Sequence, residues 1–171
     1  MTSLRLFAAI ASLTLAGCTS GDMPEEIASI FVEAPPSSGG TMSNEVRLPV
    51  SGLSIRVMNR ALVPAEEILG TQPVTSGEPD LRQEFLLIQL DRKSATDVMH
   101  YTNEAIGKHL ILVINDTAVG IMPIEQQITD GYLMFHVEKK GLSNTEAVMD
   151  ISRRLNISAL KLRKIKESER K

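Results

Sequence analysis

Along the chain, apolar positions recur with two periods, and these lay out most of the elements. Leu53, Ile55 and Val57 alternate with Ser54 and Arg56, which predicts a half-buried strand. Phe85 to Leu90 is an apolar run suited to a central strand. Leu110 to Ile114 is a further strand, turned tightly by Asn115-Asp116 into a partner at Ala118 to Met122, and Tyr132 to Val137 is another after Gly131. The helical period appears twice. Ser94 caps a helix with Asp97 three residues on, placing Ala95, Val98, Met99, Thr102 and Ile106 on one face before Gly107 ends it. A last helix starts from a cap at Ser143 and turns Ala147, Val148, Ile151 and Leu155 inward. Pro64 to Gly70 reads as a short helix stopped by glycine, and the polar Pro/Gly-rich stretch 71–80 as a long surface loop. Helices without regular strand–helix alternation predict an α+β fold, a largely antiparallel sheet with two main helices on one face. Its expected core is Leu53, Ile55, Val57, Phe85, Leu87, Val98, Ile106, Leu110, Leu112, Ile114, Ile121, Phe135, Val148, Ile151 and Leu155.

The opening segment follows a different logic. Arg5 precedes an apolar run from Leu6 to Leu15, too short for a bilayer span of ~20 residues. The run ends in Leu15-Ala16-Gly17-Cys18, which resembles the lipobox of bacterial lipoproteins, in which the cysteine thiol receives diacylglycerol. That resemblance implies a signal peptide over 1–17, Cys18 as the acylated mature N-terminus and the membrane as a partner through the lipid. Thr19 in place of Asp implies sorting to the outer membrane, facing the periplasm. Residues 18–45 are rich in Ser, Gly, Pro and Thr around Pro35 to Gly40 and read as a flexible tether, with Ile27, Ile30, Phe31 and Val32 at most a transient turn within it. The expected organisation is therefore 1–17 signal peptide, 18–45 tether, 46–160 folded domain and 161–171 basic tail.

Composition narrows the chemistry. A length of 171 residues with 43% hydrophobic content suits one domain. The net charge of −3, the absence of Trp and only 4% aromatic residues argue against a nucleic-acid partner. A single Cys excludes a disulfide framework and a cysteine-based zinc site. Asp97, His100 and Glu104 stand at helical spacing and are either a divalent-metal set or, more simply, a solvated helix face. His109 follows a helix end, where it opposes the negative pole, and His136 alternates on a strand. No nucleophile elbow or phosphate-binding glycine loop is visible, so the expectation is no enzyme, no cofactor and no metal.

One stretch resembles a known family. Thr102-Asn103-Glu104-Ala105-Ile106-Gly107-Lys108, the strand Leu110 to Ile114 with Asn115-Asp116, and Ile128-Thr129-Asp130-Gly131 look like the head part of the first periplasmic domain of SecD, a protein-export membrane subunit. The final helix with Glu146-Ala147 and Leu155, then Ala159-Leu160, fits the same pattern, so the resemblance spans roughly residues 85–160. The chain departs from it at Ala105, Asp116, Asp130 and Ser158. The resemblance implies an α+β fold and a domain able to touch extended polypeptide on the outer side of a membrane.

Charge is unevenly spread. Residues 152–171 hold 8 basic and 2 acidic residues, whereas 18–151 hold 9 basic and 19 acidic, giving +6 against −10. Lys161, Arg163, Lys164 and Lys166 are thus candidate partner contacts for an acidic protein, anionic lipid headgroups or the acidic domain itself; a solvated tail is the plainer alternative. The leading functional expectation is a lipid-anchored, non-catalytic binding module that engages a protein or peptide through a sheet edge or the face formed by Ala118 to Val137. An accessory or inhibitory envelope lipoprotein acting through the basic tail is the main alternative, and a hydrolase the remote one.

Overall fold

The computed structural model describes residues 23–38, 40–78 and 80–169. The expected signal peptide over 1–17, Cys18 and Thr19 lie outside the described residues, as do Gly39, Pro79, Arg170 and Lys171. In chain order the elements are β1 (Ala28–Val32), β2 (Ser43–Arg47), β3 (Ser54–Met58), β4 (Ile68–Ser76), β5 (Gln83–Leu90), α1 (Arg92–Glu104), β6 (His109–Ile114), β7 (Thr117–Pro123), β8 (Tyr132–Val137) and α2 (Asn144–Ser168). Six strands form one antiparallel sheet in the order β1-β6-β7-β8-β5-β4, and β2 pairs with β3 as a separate hairpin. The fold is α+β, as the patterning predicts.

Strand alternation assigns the two faces of the sheet. On the inner face, Ile30, Leu110, Leu112, Leu86, Ile88, Leu133 and Phe135 are buried with Val98 of α1 and Val148, Ile151 and Leu155 of α2. On the outer face, Ile111, Val113 and Ala118 pack with Leu48 and Val57 from the region of the β2–β3 hairpin. Helices therefore cover the inner face, and the hairpin covers the outer face only over the β6–β7 half.

Local chemistry explains the ends of these elements. Asn115 and Asp116 both have positive φ, 45° and 64°, the backbone of a type I′ turn, and so join β6 directly to β7. At α2, the Ser143 side chain accepts from the Glu146 N–H while Glu146 returns to the Ser143 N–H, closing a capping box. The α1 cap is not Ser94 but Asp91, whose carboxylate accepts from the Ser94 N–H at 2.8 Å. Ser94 is instead fully buried, its hydroxyl donating to Glu67.

Several expectations are corrected by the packing. The stretch read as a tether over 18–45 contains β1, whose Ala28, Ile30 and Val32 face the core while its backbone pairs with β6; the Pro- and Gly-rich part is confined to the connection before β2. The domain therefore begins well before residue 46. The stretch 71–80 is largely strand, because β4 lies at the rim of the sheet, where Pro73 forfeits no ladder bond. Only a 3-10 turn, Ala65–Glu67, forms where a short helix was expected. The basic segment 161–171 is no separate tail, since α2 continues to Ser168 with Leu162 and Ile165 half-buried. In the core, Leu53 and Ile106 are exposed, Leu53 because the strand starts one residue later and Ile106 because Ala105 takes the inward position at the helix end. Ile55, Phe85, Leu87 and Ile121 are half-buried, all on or under the outer face.

The two halves of the sheet meet at one narrow place. β7 and β8 are in register only at Gly120↔Val137 and Ile121↔His136. A Cβ on Gly120 would lie 3.0 Å from Val137 Cγ1, and 3.3 Å from both the His136 carbonyl oxygen and Leu112 Cβ, so a side chain at this crossing would force its neighbours to give by a few tenths of an ångström. Leu112, fully buried beneath it, should lose about 2–5 kcal/mol of stability as Leu112→Ala, against under about 0.5 kcal/mol for the exposed Glu66→Ala, measured by chemical denaturation.

Candidate functional site

Both rims of the sheet are occupied. On the β1 side, the Ile30 N–H donates to the Val63 carbonyl at 2.8 Å and the Ile30 carbonyl accepts from Leu62 at 2.8 Å. On the β4 side, the Asn156 side-chain amide of α2 acts as a surrogate strand: its oxygen accepts from the Thr71 N–H at 2.8 Å and its NH2 donates to the Thr71 carbonyl at 2.8 Å. Of the two binding modes that the sequence leaves open, strand addition at an edge is thus obstructed.

The opening lies inside the sheet instead. Beyond Ile121↔His136 the β7–β8 ladder stops, because the chain after Pro123 crosses to the end of α1, where Ile124 exchanges backbone bonds of 2.8 Å with Gly107 and Lys108 and the Ile128 N–H donates to Thr102 Oγ1 at 3.0 Å. β8 meanwhile remains paired with β5. The divergence leaves a cavity of about 620 Å³ lined by Phe85, Met122, Pro123, Ile128, Tyr132 and Met134, with Glu125, Gln127 and Asp130 among its polar residues. Tyr132 and Met134 are 41% and 37% exposed although they sit mid-sheet, because the β2–β3 hairpin stops short of this half. This cavity falls on the face expected from Ala118 to Val137. The patterning puts Phe85 in the core; the signal that places it here is its position on the same face as Leu87 and opposite to Leu86 and Ile88.

A second concavity, about 1010 Å³, runs between α1 and the 58–64 segment, with Val32, Met58, Leu62 and Tyr101 among its apolar walls. It holds Asp97, His100 and Glu104, the helical set that could serve a metal. Asp97 is engaged by Lys93 Nζ at 3.1 Å, and the same ammonium meets Glu67 at 3.0 Å. Among the described residues, no group of three His, Cys, Asp or Glu side chains is placed to hold a metal ion. Burial raises the pKa of Glu67, but its hydrogen bonds from Ser94 and Lys93 outweigh this and leave it below the ordinary value. Burial, aided by the Glu33 carboxylate, pushes the Tyr101 phenol up.

The histidines occupy separate surroundings. His100 faces the α1 concavity, His109 Nδ1 lies 2.7 Å from Glu33 Oε2, and His136 meets the Phe85 ring edge-on with centroids 6.3 Å apart. Lys161, Arg163, Lys164 and Lys166 lie on the last turns of α2, with Lys161 Nζ donating to the Met23 carbonyl at 3.4 Å. No helix among the described residues is long and apolar enough to cross a membrane.

Solved structures place the fold. The chain is similar to SecDF in its super-membrane-facing form, with a TM-score of 0.51 and 16% identity over 76% of this chain and 18% of that one. A second SecDF structure, described as a membrane component that enhances protein export, gives a TM-score of 0.45 and 17% identity over 76% of this chain and 61% of that one. The chain thus spans about a fifth of the length of the first SecDF chain, and what the two share is a SecD-like α+β fold. No family model and no curated protein matches the sequence.

Glu138, at the end of β8, ties the outer hairpin to the sheet by accepting from the Val50 and Ser51 N–H groups at 2.9 and 2.8 Å. Burial raises its pKa, but these bonds more than offset it, so its carboxyl titrates below the ordinary value. A depressed carboxylate stabilises above its unfolded pKa and loses that contribution as pH falls through the folded one. The melting temperature of Glu138→Gln should therefore fall furthest below the parent at neutral pH, and the difference should close in acid; a difference unchanged well below the carboxylate range would contradict the assignment.

Proposed function

We propose that this protein is a lipid-anchored, non-catalytic binding module that faces the periplasm and holds an extended polypeptide in the opening between β7 and β8. The observation that carries the reading is an interrupted ladder flanked by apolar side chains: among the described residues, β8 has no strand partner on its β7 side from Phe135 back to Tyr132, next to Met122, Met134, Phe85 and Ile128. An extended segment can add backbone hydrogen bonds to such a strand while alternate side chains enter the cavity. Thioethers suit a binder of varied sequence, since unbranched Met side chains repack around different shapes. The SecD-like α+β fold supports the same direction, through the resemblance given above to a family of protein export.

The membrane attachment rests on Leu15-Ala16-Gly17-Cys18, and Thr19 supports the outer membrane as destination. Acyl chains contribute ~0.8 kcal/mol per buried methylene, so several hold the protein durably. Mass spectrometry of the membrane-extracted protein should find acylated Cys18 as its first residue; a soluble product starting elsewhere would refute the anchor.

For the binding site, the test is retention of a reduced, carboxymethylated model protein by the purified chain. Met134→Asp places a charge in the cavity at a part-exposed position and should weaken that retention about tenfold or more, with little change in melting temperature. The control Thr96→Asp, on the exposed side of α1, should bind as the parent does. Equal retention by all three would exclude the cavity as the site.

A further inference from the structure

The outward face of α2 has the composition of a surface that lies on lipid. Met149, Arg153, Ile157, Leu160 and Lys164 follow one another at intervals of four, four, three and four, so they form one stripe along the helix. All five are exposed, the apolar three strongly so: Met149 60%, Ile157 52% and Leu160 57%. A face that mixes bulky apolar side chains with Arg and Lys belongs at the boundary between headgroups and acyl chains.

The N-terminal segment determines where this face must be. Met23 to Glu26 does not hang free but is fastened to α2. The Glu26 N–H donates to Ser158 Oγ at 3.2 Å, the Glu26 carboxylate pairs with Arg154, and the Met23 carbonyl accepts from Lys161. Cys18 stands five residues before Met23, and five residues of fully extended chain reach at most ~18 Å. α2, with 25 residues, is about 37 Å long, so an anchor at Cys18 cannot lift its C-terminal half clear of the membrane. The expected long tether thus shortens to a leash that brings one end of one helix to the lipid surface.

Charge selects the kind of lipid. The sequence from 152 onward is net +6, while 18–151 is net −10, so an anionic surface attracts the end of α2 and repels the rest of the domain. We propose that the C-terminal half of α2 docks on anionic phospholipid headgroups, with Lys161 and Lys164 among the phosphates and Ile157 and Leu160 at their base. The inference rests on the lipid anchor proposed above. It also orients the domain: α2 covers the inner face of the sheet, so the β7–β8 opening, on the outer face, looks away from the bilayer.

The test uses the acylated full chain, purified from membranes and reconstituted into vesicles of phosphatidylcholine with or without phosphatidylglycerol. An environment-sensitive dye is placed at Leu160→Cys or, as the opposite-face control, at Met134→Cys. In phosphatidylglycerol vesicles the dye at 160 should shift to the blue and be quenched by lipid-borne quenchers, and the dye at 134 should show neither effect. Both signals at 160 should be lost in pure phosphatidylcholine, at high salt, where the screening length falls to ~3 Å at 1 M, and in the triple variant Arg163→Gln, Lys164→Gln, Lys166→Gln, which retains Lys161 and its bond to Met23. A dye at 160 that reports water in phosphatidylglycerol vesicles, while the N-terminal peptide carries its acyl groups, overturns the docking and spares the anchor. An N-terminal peptide without acyl groups overturns the anchor itself. Shielding at 160 in cell envelopes but not in anionic vesicles assigns the face to a protein partner and likewise refutes lipid docking.

Discussion

The close approach of β7 to β8 at Gly120 is the constraint around which the molecule is arranged. One half of the sheet, β1-β6-β7, is sandwiched between helices and the β2–β3 hairpin, and the other half, β8-β5-β4, is covered on its inner face alone. Two register pairs join them, with a Val137 methyl group packed closely over the Gly120 backbone. Because the joint is so short, the strands separate at once, and the space they leave is filled by neither ladder nor core. An open interior in the sheet follows from this short joint and from the crossing of the chain after Pro123 to the end of α1.

The surrounding polar contacts keep that geometry from relaxing. Glu138 pins the hairpin from below the joint, through two backbone N–H groups, and Thr102 pins the crossing loop from the α1 side, through the Ile128 N–H. Lys139, at the other side of the same turn, pairs with Asp150 of α2, and burial works against Asp150 less than that ammonium works for it, so its carboxyl is held below the ordinary value. Partly exposed pairs of this kind contribute little stability each, about 0–1 kcal/mol. Their effect is positional: they fix where β8 leaves the sheet.

Regular patterning was legible wherever local chemistry decides. The Asn115-Asp116 turn, the strands on both sides of it, β8 and the Ser143 cap follow from residues adjacent in sequence, and the structure has each of them. What escaped was set by distant partners. Ala28, Ile30 and Val32 alternate correctly for a strand, but only β6, more than 75 residues later, gives them something to pair with. Pro73, with the glycine and proline that follow it in 71–80, argues for a loop until β4 is seen to lie at the rim, where it is tolerated. The α2 extension hid behind its lysines and arginines, which read as a tail although they are good helix formers. The face of the candidate site could be named from Ala118 to Val137, whereas the gap in it could not, because a ladder that stops leaves no mark in either strand.

The amide clasp between Asn156 and Thr71 has a bearing on self-association. An antiparallel sheet with a nine-residue rim strand is a template on which another copy of the same strand can nucleate. Here one helix-borne side chain occupies both backbone groups at Thr71, a register irregularity between Ile68 and Gly70 lies on one side, and Pro73 lies on the other. The rim is interrupted three times within six residues, too often for a flat intermolecular ladder to grow. A sheet that is open at its centre is thereby closed along this border.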